Sequence, residues 1–240
     1  MDIFRSLFGI TADKIKKTCI LAPFITKEMQ DVLGIKKLSR GILYASGYNS
    51  ILSVICTNSG SANVGDAVLH LRETNCKNLI FFGTCGSLNK NAFPKASFVL
   101  IDKALSKDSF VDMLLKREPV DVFYPDKRLL NSFYSFGSDL NIKKACALTV
   151  GSLKLEEDYL NSINKKHIDV IDMETSAFFA AAKSVRKKAV SFLHVTDHIK
   201  DLPYYKAFSK KNISDIKKNA VLAFRALVKI LEKFKIEQEK

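Results

Sequence analysis

The stretch Asn-Leu-Ile-Phe-Phe-Gly-Thr-Cys-Gly-Ser at residues 78–87 passes from an apolar run directly into a turn with two glycines. The apolar part, residues 78–82, predicts a buried strand. The glycines allow a tight turn, and the exposed amides with the Thr84 hydroxyl could bind an anion. An ordinary strand-to-loop connection accounts for the same residues equally well. This stretch therefore predicts a central strand with a candidate site at its carboxyl end.

Strands and helices alternate on both sides of this stretch. Further strands are predicted at residues 18–22, 41–46, 51–57, 98–101, 145–150, 168–171 and 189–195, and helices at residues 27–33, 62–72, 174–185 and 206–234. No linker, repeat or low-complexity tract divides them. The pattern predicts an α/β fold, a single-domain three-layer sandwich with a mixed central β-sheet flanked by helices. We assign residues 18–240 to this domain and residues 1–17 to an N-terminal lead-in segment.

Composition excludes several classes of protein. The chain of 240 residues is 47% hydrophobic and 26% charged, which is a globular composition. Its net charge of +13 comes from lysines spread along the sequence, so we interpret it as a solvated surface and expect no nucleic-acid partner. We find no membrane span and no secretory signal, and the five cysteines show no CxxC pair. The chain is therefore expected to be cytoplasmic, with free thiols and no metal or organic cofactor.

Three further stretches carry candidate site residues, because ligands of open α/β sheets bind at the carboxyl ends of strands. Asp172-Met173-Glu174 joins a predicted strand to a helix, where a carboxylate either caps the helix or accepts hydrogen bonds from a diol such as ribose. Asp197 follows the last strand and is either a general acid, a helix cap or an ion-pair partner of Lys200. Arg40 precedes a strand and is either a surface residue or an anion ligand that reaches a neighbouring subunit.

In combination, these segments resemble the nucleoside phosphorylase and nucleosidase superfamily, and in detail the hexameric bacterial purine nucleoside phosphorylases. The matching segments, in the family's order, are Arg-Gly-Ile-Leu at 40–43 with Ser-Gly-Tyr at 46–48, Gly-Thr-Cys-Gly at 83–86, Val-Gly-Ser-Leu at 150–153, Asp-Met-Glu at 172–174 and Val-Thr-Asp-His-Ile-Lys at 195–200. The resemblance implies phosphorolysis of the glycosidic bond of purine nucleosides, with inorganic phosphate as co-substrate. It also implies a homo-oligomer, a dimer or hexamer, whose sites are shared between subunits.

The resemblance also implies roles at the base. Asp197 would protonate N7 of the purine, and Lys200 stands where the family has an assisting Arg. Tyr159 falls where an aromatic ring stacks on the base. Cleavage of an N-glycosidic bond places positive charge on the sugar and negative charge on the base, so an acid near the base is chemically coherent.

Further roles are implied at the sugar and the phosphate. Asp172, Met173 and Glu174 form the substrate-binding segment, in which Met173 and Glu174 would hold the ribose. Thr84 and Arg40 would contact phosphate, with Arg40 coming from an adjacent subunit. Lys27 falls where the family carries a further phosphate Arg.

The chain departs from the family at its phosphate ligands, and these departures leave alternatives open. Phe81 stands where the family has a third phosphate Arg, and both Lys27 and Lys200 replace Arg with loss of bidentate geometry. One alternative is hydrolysis, as in the adenosylhomocysteine/methylthioadenosine nucleosidases, with Glu28 near the place of their water-activating Glu. Another is a relative that binds a nucleoside or another partner without catalysis, but the presence of both Asp197 and Glu174 argues against it.

Overall fold

The computed structural model describes residues 2–109, 121–160, 167–201 and 209–238, with no description of the side chains of 157–160, 210 and 237–238. The strands are β1 (Thr18–Ala22), β2 (Ser39–Arg40), β3 (Ala45–Tyr48), β4 (Leu52–Cys56), β5 (Asn78–Ser87), β6 (Phe98–Lys107), β7 (Val122–Phe123), β8 (Lys143–Val150), β9 (Val170–Asp172) and β10 (Lys188–His198). The helices are α1 (Ile3–Phe8), α2 (Lys27–Val32), α3 (Ser61–His70), α4 (Lys127–Phe136), α5 (Leu153–Leu160), α6 (Thr175–Ser184) and α7 (Lys210–Gln238).

The strands form one ten-stranded mixed sheet in the order β10-β6-β8-β9-β5-β1-β4-β3-β2, with β7 beside β6. Because β10 also pairs with β5, the first five strands of this order close into a ring, and the others extend from β5 as an open sheet. β5 runs parallel to β1 and β10, whereas β9 pairs antiparallel with the end of β5. The predicted mixed sheet is confirmed.

Helices cover both faces of the sheet, so the three-layer arrangement is also confirmed. Leu79 and Phe81 of β5 lie in a core cluster with residues of α3 and α6, and the alternating Ile80 and Phe82 lie in a second cluster with residues of α2, α4 and α7. Successive residues of a strand point to opposite faces, and both faces of β5 are covered by helices. The near-continuous apolar run of β5 follows from this double burial.

β5 and β10 are longer than the sequence predicts. Residues 83–87 continue β5 as strand, with Gly83 opposite Leu193 and Gly86 opposite Asp197 on β10. The turn predicted for the glycines is therefore wrong. Gly86 is required by packing, because a Cβ atom there would lie 2.5 Å from Cγ1 of Ile199.

The segment before β3 differs from the prediction as well. Residues 41–44 are not a strand, because the backbone amide of Ile42 donates to the Ser6 carbonyl and that of Tyr44 to the Leu7 carbonyl. α1 thus occupies the hydrogen-bonding positions that a neighbouring strand would need. Phe8 of this N-terminal segment is buried in the core, and the boundary at residue 17 stays a prediction.

The last predicted helical region is a single helix, α7, within the residues that the structure describes. None of the described helices is long and apolar enough to cross a membrane.

Candidate functional site

A cleft of about 360 Å³ opens at the carboxyl ends of β5, β9 and β10. Its polar wall is formed by Thr26, Ser59, Thr84, Glu156, Asp172, Glu174, Thr196, Asp197 and Lys217, and its apolar wall includes Phe24, Leu153, Ile171, Met173, Ile199 and Ile216. The cleft therefore combines an apolar surface, one lysine and the buried carboxyl groups of Glu156, Glu174 and Asp197. A fourth carboxyl group, that of Asp172, caps a helix.

Asp197 is aimed into the cleft by an irregularity in β10. The pairing of β10 with β5 skips one residue between Val195 and Asp197, so Thr196 is the extra residue of a bulge. Asp197 is only 6% exposed, and the Thr196 hydroxyl donates to its Oδ1 over 2.7 Å. Its Oδ2 would lie 3.3 Å from a Cβ at position 86, so glycine leaves room for the carboxyl group. The arrangement presents a desolvated carboxyl group to whatever occupies the cleft.

Glu174 is the second buried carboxyl group of the cleft. It precedes α6, and its Oε1 accepts a hydrogen bond of 2.7 Å from the backbone amide of Gly60, in the loop between β4 and α3. Burial, and then the nearby Asp172 carboxylate, raise the pKa of Glu174 to about 7. Since Glu174 makes no capping hydrogen bond to α6, its carboxyl group lines the cleft without being held by the helix.

Asp172 caps α6 instead. The backbone amide of Thr175 donates to Asp172 Oδ2 over 2.7 Å, and the Thr149 hydroxyl donates to Oδ1 over 2.7 Å. Burial raises the pKa of Asp172, against the opposing effect of the hydrogen bonds from Thr175 and Thr149. Both carboxyl oxygens thus have partners in the chain, and the capping role considered for this segment belongs to Asp172. Direct contact of Asp172 with a substrate stays a prediction.

Met173 and Thr84 are two further residues that were predicted from the sequence and that line this cleft. Met173 lines the cleft and packs against the cluster that contains Ile171 and Ile199. Thr84 lies on β5 opposite His194, with its side chain at the cleft wall. Met173 and Thr84 therefore share one cavity with Glu174 and Asp197.

Three predicted cationic residues lie outside this cleft. Lys27 is exposed and its ammonium is 2.6 Å from Asp31 Oδ1. Arg40 lines a separate surface depression of about 590 Å³ beside Arg5 of α1, and Lys200 lines another of about 450 Å³ beside His198. A role for Arg40 in the site of a neighbouring copy stays a prediction.

Two further sequence predictions concern residues elsewhere. The side chain of Tyr159 lies outside the described residues, so its stacking role stays a prediction. Glu28 lies in a surface groove with Asp31 and Arg225, apart from the cleft.

Phe81 does not face the cleft either. It is fully buried, and its ring centroid lies 5.5 Å from that of Phe178 on α6. The position that carries a phosphate Arg in the resembled family is thus part of the hydrophobic core here, and an Arg introduced there would be a buried charge.

Sequence reasoning missed Glu156, Ser59 and Lys217 of the cleft wall. Glu156 is 5% exposed and belongs to α5. The same helix contains Tyr159, which was predicted to stack on the base, and this proximity in sequence could have indicated Glu156. Ser59 sits in a loop where Asn58 and Gly60 both have positive φ. Lys217 is one of many lysines on α7 and gave no signal of its own. Within the described residues, no group of three or more His, Cys, Asp or Glu side chains is arranged to hold a metal ion.

Comparisons with known proteins agree with this architecture. The profile of the family described as Phosphorylase superfamily matches residues 21–234, so the chain belongs to this superfamily. More particularly, it is 29% identical over 170 residues to a DeoD-type purine nucleoside phosphorylase of Buchnera aphidicola, covering 67% of this chain and 70% of the relative.

Solved structures show the same fold at low sequence identity. The 5′-methylthioadenosine/S-adenosylhomocysteine nucleosidase of Helicobacter pylori is 11% identical with a TM-score of 0.72, covering 91% of this chain and 99% of that structure. The AMP nucleosidase of Bacteroides thetaiotaomicron is 16% identical with a TM-score of 0.68, covering 96% and 94%. At these identities the similarity establishes the fold alone.

A diol role for Glu174, which stays a prediction, would make sugar recognition depend on pH because the pKa of this carboxyl group is raised. Above pH 7 the carboxylate is a strong hydrogen-bond acceptor, and below pH 7 it is protonated and accepts more weakly. We expect kcat/KM for a ribonucleoside, divided by kcat/KM for its 2′-deoxy analogue, to rise with pH through about 7. The ratio cancels titrations that affect both substrates equally. A ratio independent of pH between 5.5 and 8.5 would contradict a diol role for Glu174.

Proposed function

We propose that this protein is a purine nucleoside phosphorylase, which converts a purine ribonucleoside or deoxyribonucleoside and phosphate into the free base and the (deoxy)ribose 1-phosphate. The observation that carries the proposal is that two buried carboxyl groups, those of Asp197 and Glu174, line one cleft. Met173, which joins β9 to α6, lines the same cleft. The similarity to a DeoD-type purine nucleoside phosphorylase supports the same activity.

In the proposed reaction, a phosphate oxygen forms a bond to C1′ as the C1′–N9 bond breaks. The electron pair of the broken bond goes to the purine, and the proton of the Asp197 carboxyl group goes to N7. Protonation makes the base a better leaving group, which is the general-acid contribution. Glu174 accepts hydrogen bonds from the ribose hydroxyls and so fixes the sugar while positive charge develops on it. Met173 provides an apolar surface beneath the sugar.

The proposal includes inorganic phosphate as co-substrate and no metal or organic cofactor. Thr84 offers its hydroxyl to the phosphate, and Arg40 is proposed to reach the cleft of a neighbouring copy in a dimer or hexamer. Arg40 is exposed on the short β2 strand, next to the exposed Ile42, which is consistent with such a contact. Lys27 would reach the phosphate, and Lys200 would assist Asp197, only after rearrangement, because Lys27 pairs with Asp31 and Lys200 lines a separate surface depression.

A second candidate function is hydrolysis of the same bond, with water in place of phosphate. The observation that favours it is the burial of Phe81 against Phe178, which removes one expected phosphate cation, together with the Lys27–Asp31 ion pair, which engages another. Two structural neighbours are nucleosidases by name, although they share only the fold. A relative without catalysis is the third candidate, and the two carboxyl groups that share the cleft argue against it.

The dependence on phosphate tests the proposal. We expect base release from inosine or adenosine to require phosphate and to saturate only at high concentration, because a missing guanidinium removes charge-assisted hydrogen bonds of about 1.5–3 kcal/mol each. Arg40→Ala should raise the phosphate concentration needed for saturation further. Arg72→Ala, at an exposed position after α3, should leave that concentration unchanged. Steady-state rates over a phosphate titration measure both. An Arg40→Ala titration identical to that of the unmodified protein would remove Arg40 from the site.

A further inference from the structure

Hydroxyl groups and the loop between β1 and α2 contribute to the wall of the cleft. Phe24 and Thr26 of that loop line the cleft, as do Ser59 and Thr84. The three buried carboxyl groups that line the cleft without capping a helix, those of Glu156, Glu174 and Asp197, come from α5, from the start of α6 and from β10. Because carboxylates repel an anion, an anion in this cleft needs hydroxyl donors and a compensating cation.

Lys217 brings a positive charge to the wall of the cleft. Of the lysines and arginines in the described ranges, it alone lines the cleft. The pKa of Glu28 at the start of α2 is lowered mainly by hydrogen bonds from its own backbone amide and from Thr26, and further by the charge of Lys217. Lys217, which lines the cleft, is therefore close enough to the start of α2, the helix capped by Thr26, for its charge to act on Glu28.

The backbone that carries Lys217 is fixed by burial. Ala220, one turn later on α7, is buried and also reaches the cleft wall, and Phe224 after it packs edge-on against Phe82 of β5 with 5.0 Å between ring centroids. Met29 of α2 belongs to the same cluster. α7 is thus attached to both the central strand and α2, so the lysine is presented to the cleft by a rigid helix while its long side chain stays free to adjust.

We propose that Lys217 binds a phosphate group in this cleft, together with the hydroxyl groups of Thr84 and Ser59. This inference rests on the proposed function where the phosphate group is that of inorganic phosphate. The same chemistry would serve a 5′-phosphate carried by the nucleoside itself, so the experiment has one arm for each source. Lys27 and Arg40 lie outside the cleft of this chain, and Phe81 stands in place of an Arg. Lys217 supplies the missing positive charge.

The first arm measures the concentration of inorganic phosphate that gives half-maximal base release from adenosine or inosine. For Lys217→Ala we expect about a tenfold increase in that concentration, because one charge-assisted hydrogen bond at an exposed position is lost. The rate at saturating phosphate and the KM for the nucleoside should stay within about twofold of the unmodified protein, because neither the acid nor the sugar contacts change. Lys217→Arg should return the phosphate concentration for half-maximal base release to that of the unmodified protein. Lys218→Ala is the matched control, since Lys218 is exposed beside it and does not line the cleft.

The second arm compares AMP with adenosine in phosphate-free buffer. If the phosphate group is a 5′-phosphate, the unmodified protein prefers AMP, inorganic phosphate competes with it, and Lys217→Ala loses that preference while Lys218→Ala keeps it. Binding of inorganic phosphate by isothermal titration calorimetry gives a readout without catalysis.

The two arms separate the inference from the proposed function. Base release from adenosine at full rate without phosphate overturns phosphorolysis. In that case, loss of AMP preference or of phosphate binding in Lys217→Ala still supports the role of Lys217 in binding a phosphate group. Lys217→Ala that matches Lys218→Ala in the phosphate titration, in AMP preference and in calorimetry overturns the role of Lys217.

Discussion

Asp197→Asn is expected to fold and to lose about 10²- to 10⁴-fold in kcat/KM with adenosine, because the amide cannot deliver the proton that the departing base needs. Folding should persist because an amide oxygen can still accept the 2.7 Å hydrogen bond from the Thr196 hydroxyl. Steady-state kinetics and a thermal melt of the purified variant measure the two parts of this expectation. Asp201→Asn is the matched control, since Asp201 pairs with Lys90 at the surface, outside the cleft.

A substrate that needs no acid makes this test sharper. 7-Methylguanosine already carries a positive charge on the five-membered ring of its base, so its departure requires no proton at N7. We expect Asp197→Asn to cleave 7-methylguanosine far better, relative to the unmodified protein, than it cleaves adenosine. An equal loss with both substrates would mean that Asp197 acts on something other than the leaving base, and an undiminished rate with adenosine would refute its role as the acid.

Glu174→Gln is expected to raise KM for ribonucleosides by about 10- to 100-fold, because a neutral amide accepts hydrogen bonds from the sugar hydroxyls less strongly than a carboxylate does. The amide oxygen can still accept from the Gly60 backbone amide, which holds the side chain at 2.7 Å in the unmodified protein. The variant should therefore keep its fold and lose mainly the charge.

The sugar dependence of this variant identifies the contact. We expect a smaller effect on 2′-deoxyribonucleosides, and we expect the change in the ribose-to-deoxyribose ratio through pH 7 to disappear, since the group whose pKa is about 7 has been removed. Glu73→Gln, an exposed change after α3, serves as the control. If Glu174→Gln left ribose and 2′-deoxyribose substrates equally unaffected, the diol role would be wrong.

The parts of the fold that were predicted from the sequence are those with local signals. The apolar run of β5 and the strand-to-helix change at residues 172–175 each specify an element without reference to distant residues. The rule that parallel strands bring their carboxyl ends to one edge places Thr84 of β5 near Asp197 of β10. Glu174 follows β9, which is antiparallel to β5, and it reaches the same cleft because Ile171 pairs with Gly86 at the end of β5.

The parts that the sequence did not predict depend on distant contacts. Gly83 and Gly86 look like turn residues, yet both pair with β10, and position 86 needs a residue without a side chain because Ile199 packs against it. Ile42 looks like a strand residue, yet its amide is taken by Ser6 of α1. A local pattern cannot reveal either partner.

The same limit applies to the site. Asp172 and Glu174 are equivalent carboxylates in the sequence, and only the hydrogen bonds from Thr149 and Thr175 assign the helix cap to Asp172. Lys217 is indistinguishable from the other lysines of α7 until the helix is seen to pass over the cleft.

The identity of the sugar product tests the central claim most directly. The purified protein is incubated with inosine or adenosine in phosphate buffer and, in parallel, in phosphate-free buffer, and the products are followed by phosphorus and proton nuclear magnetic resonance. We predict ribose 1-phosphate in an amount equal to the released base, and almost no base release without phosphate. Free ribose formed at the same rate in both buffers would contradict phosphorolysis and establish hydrolysis in its place.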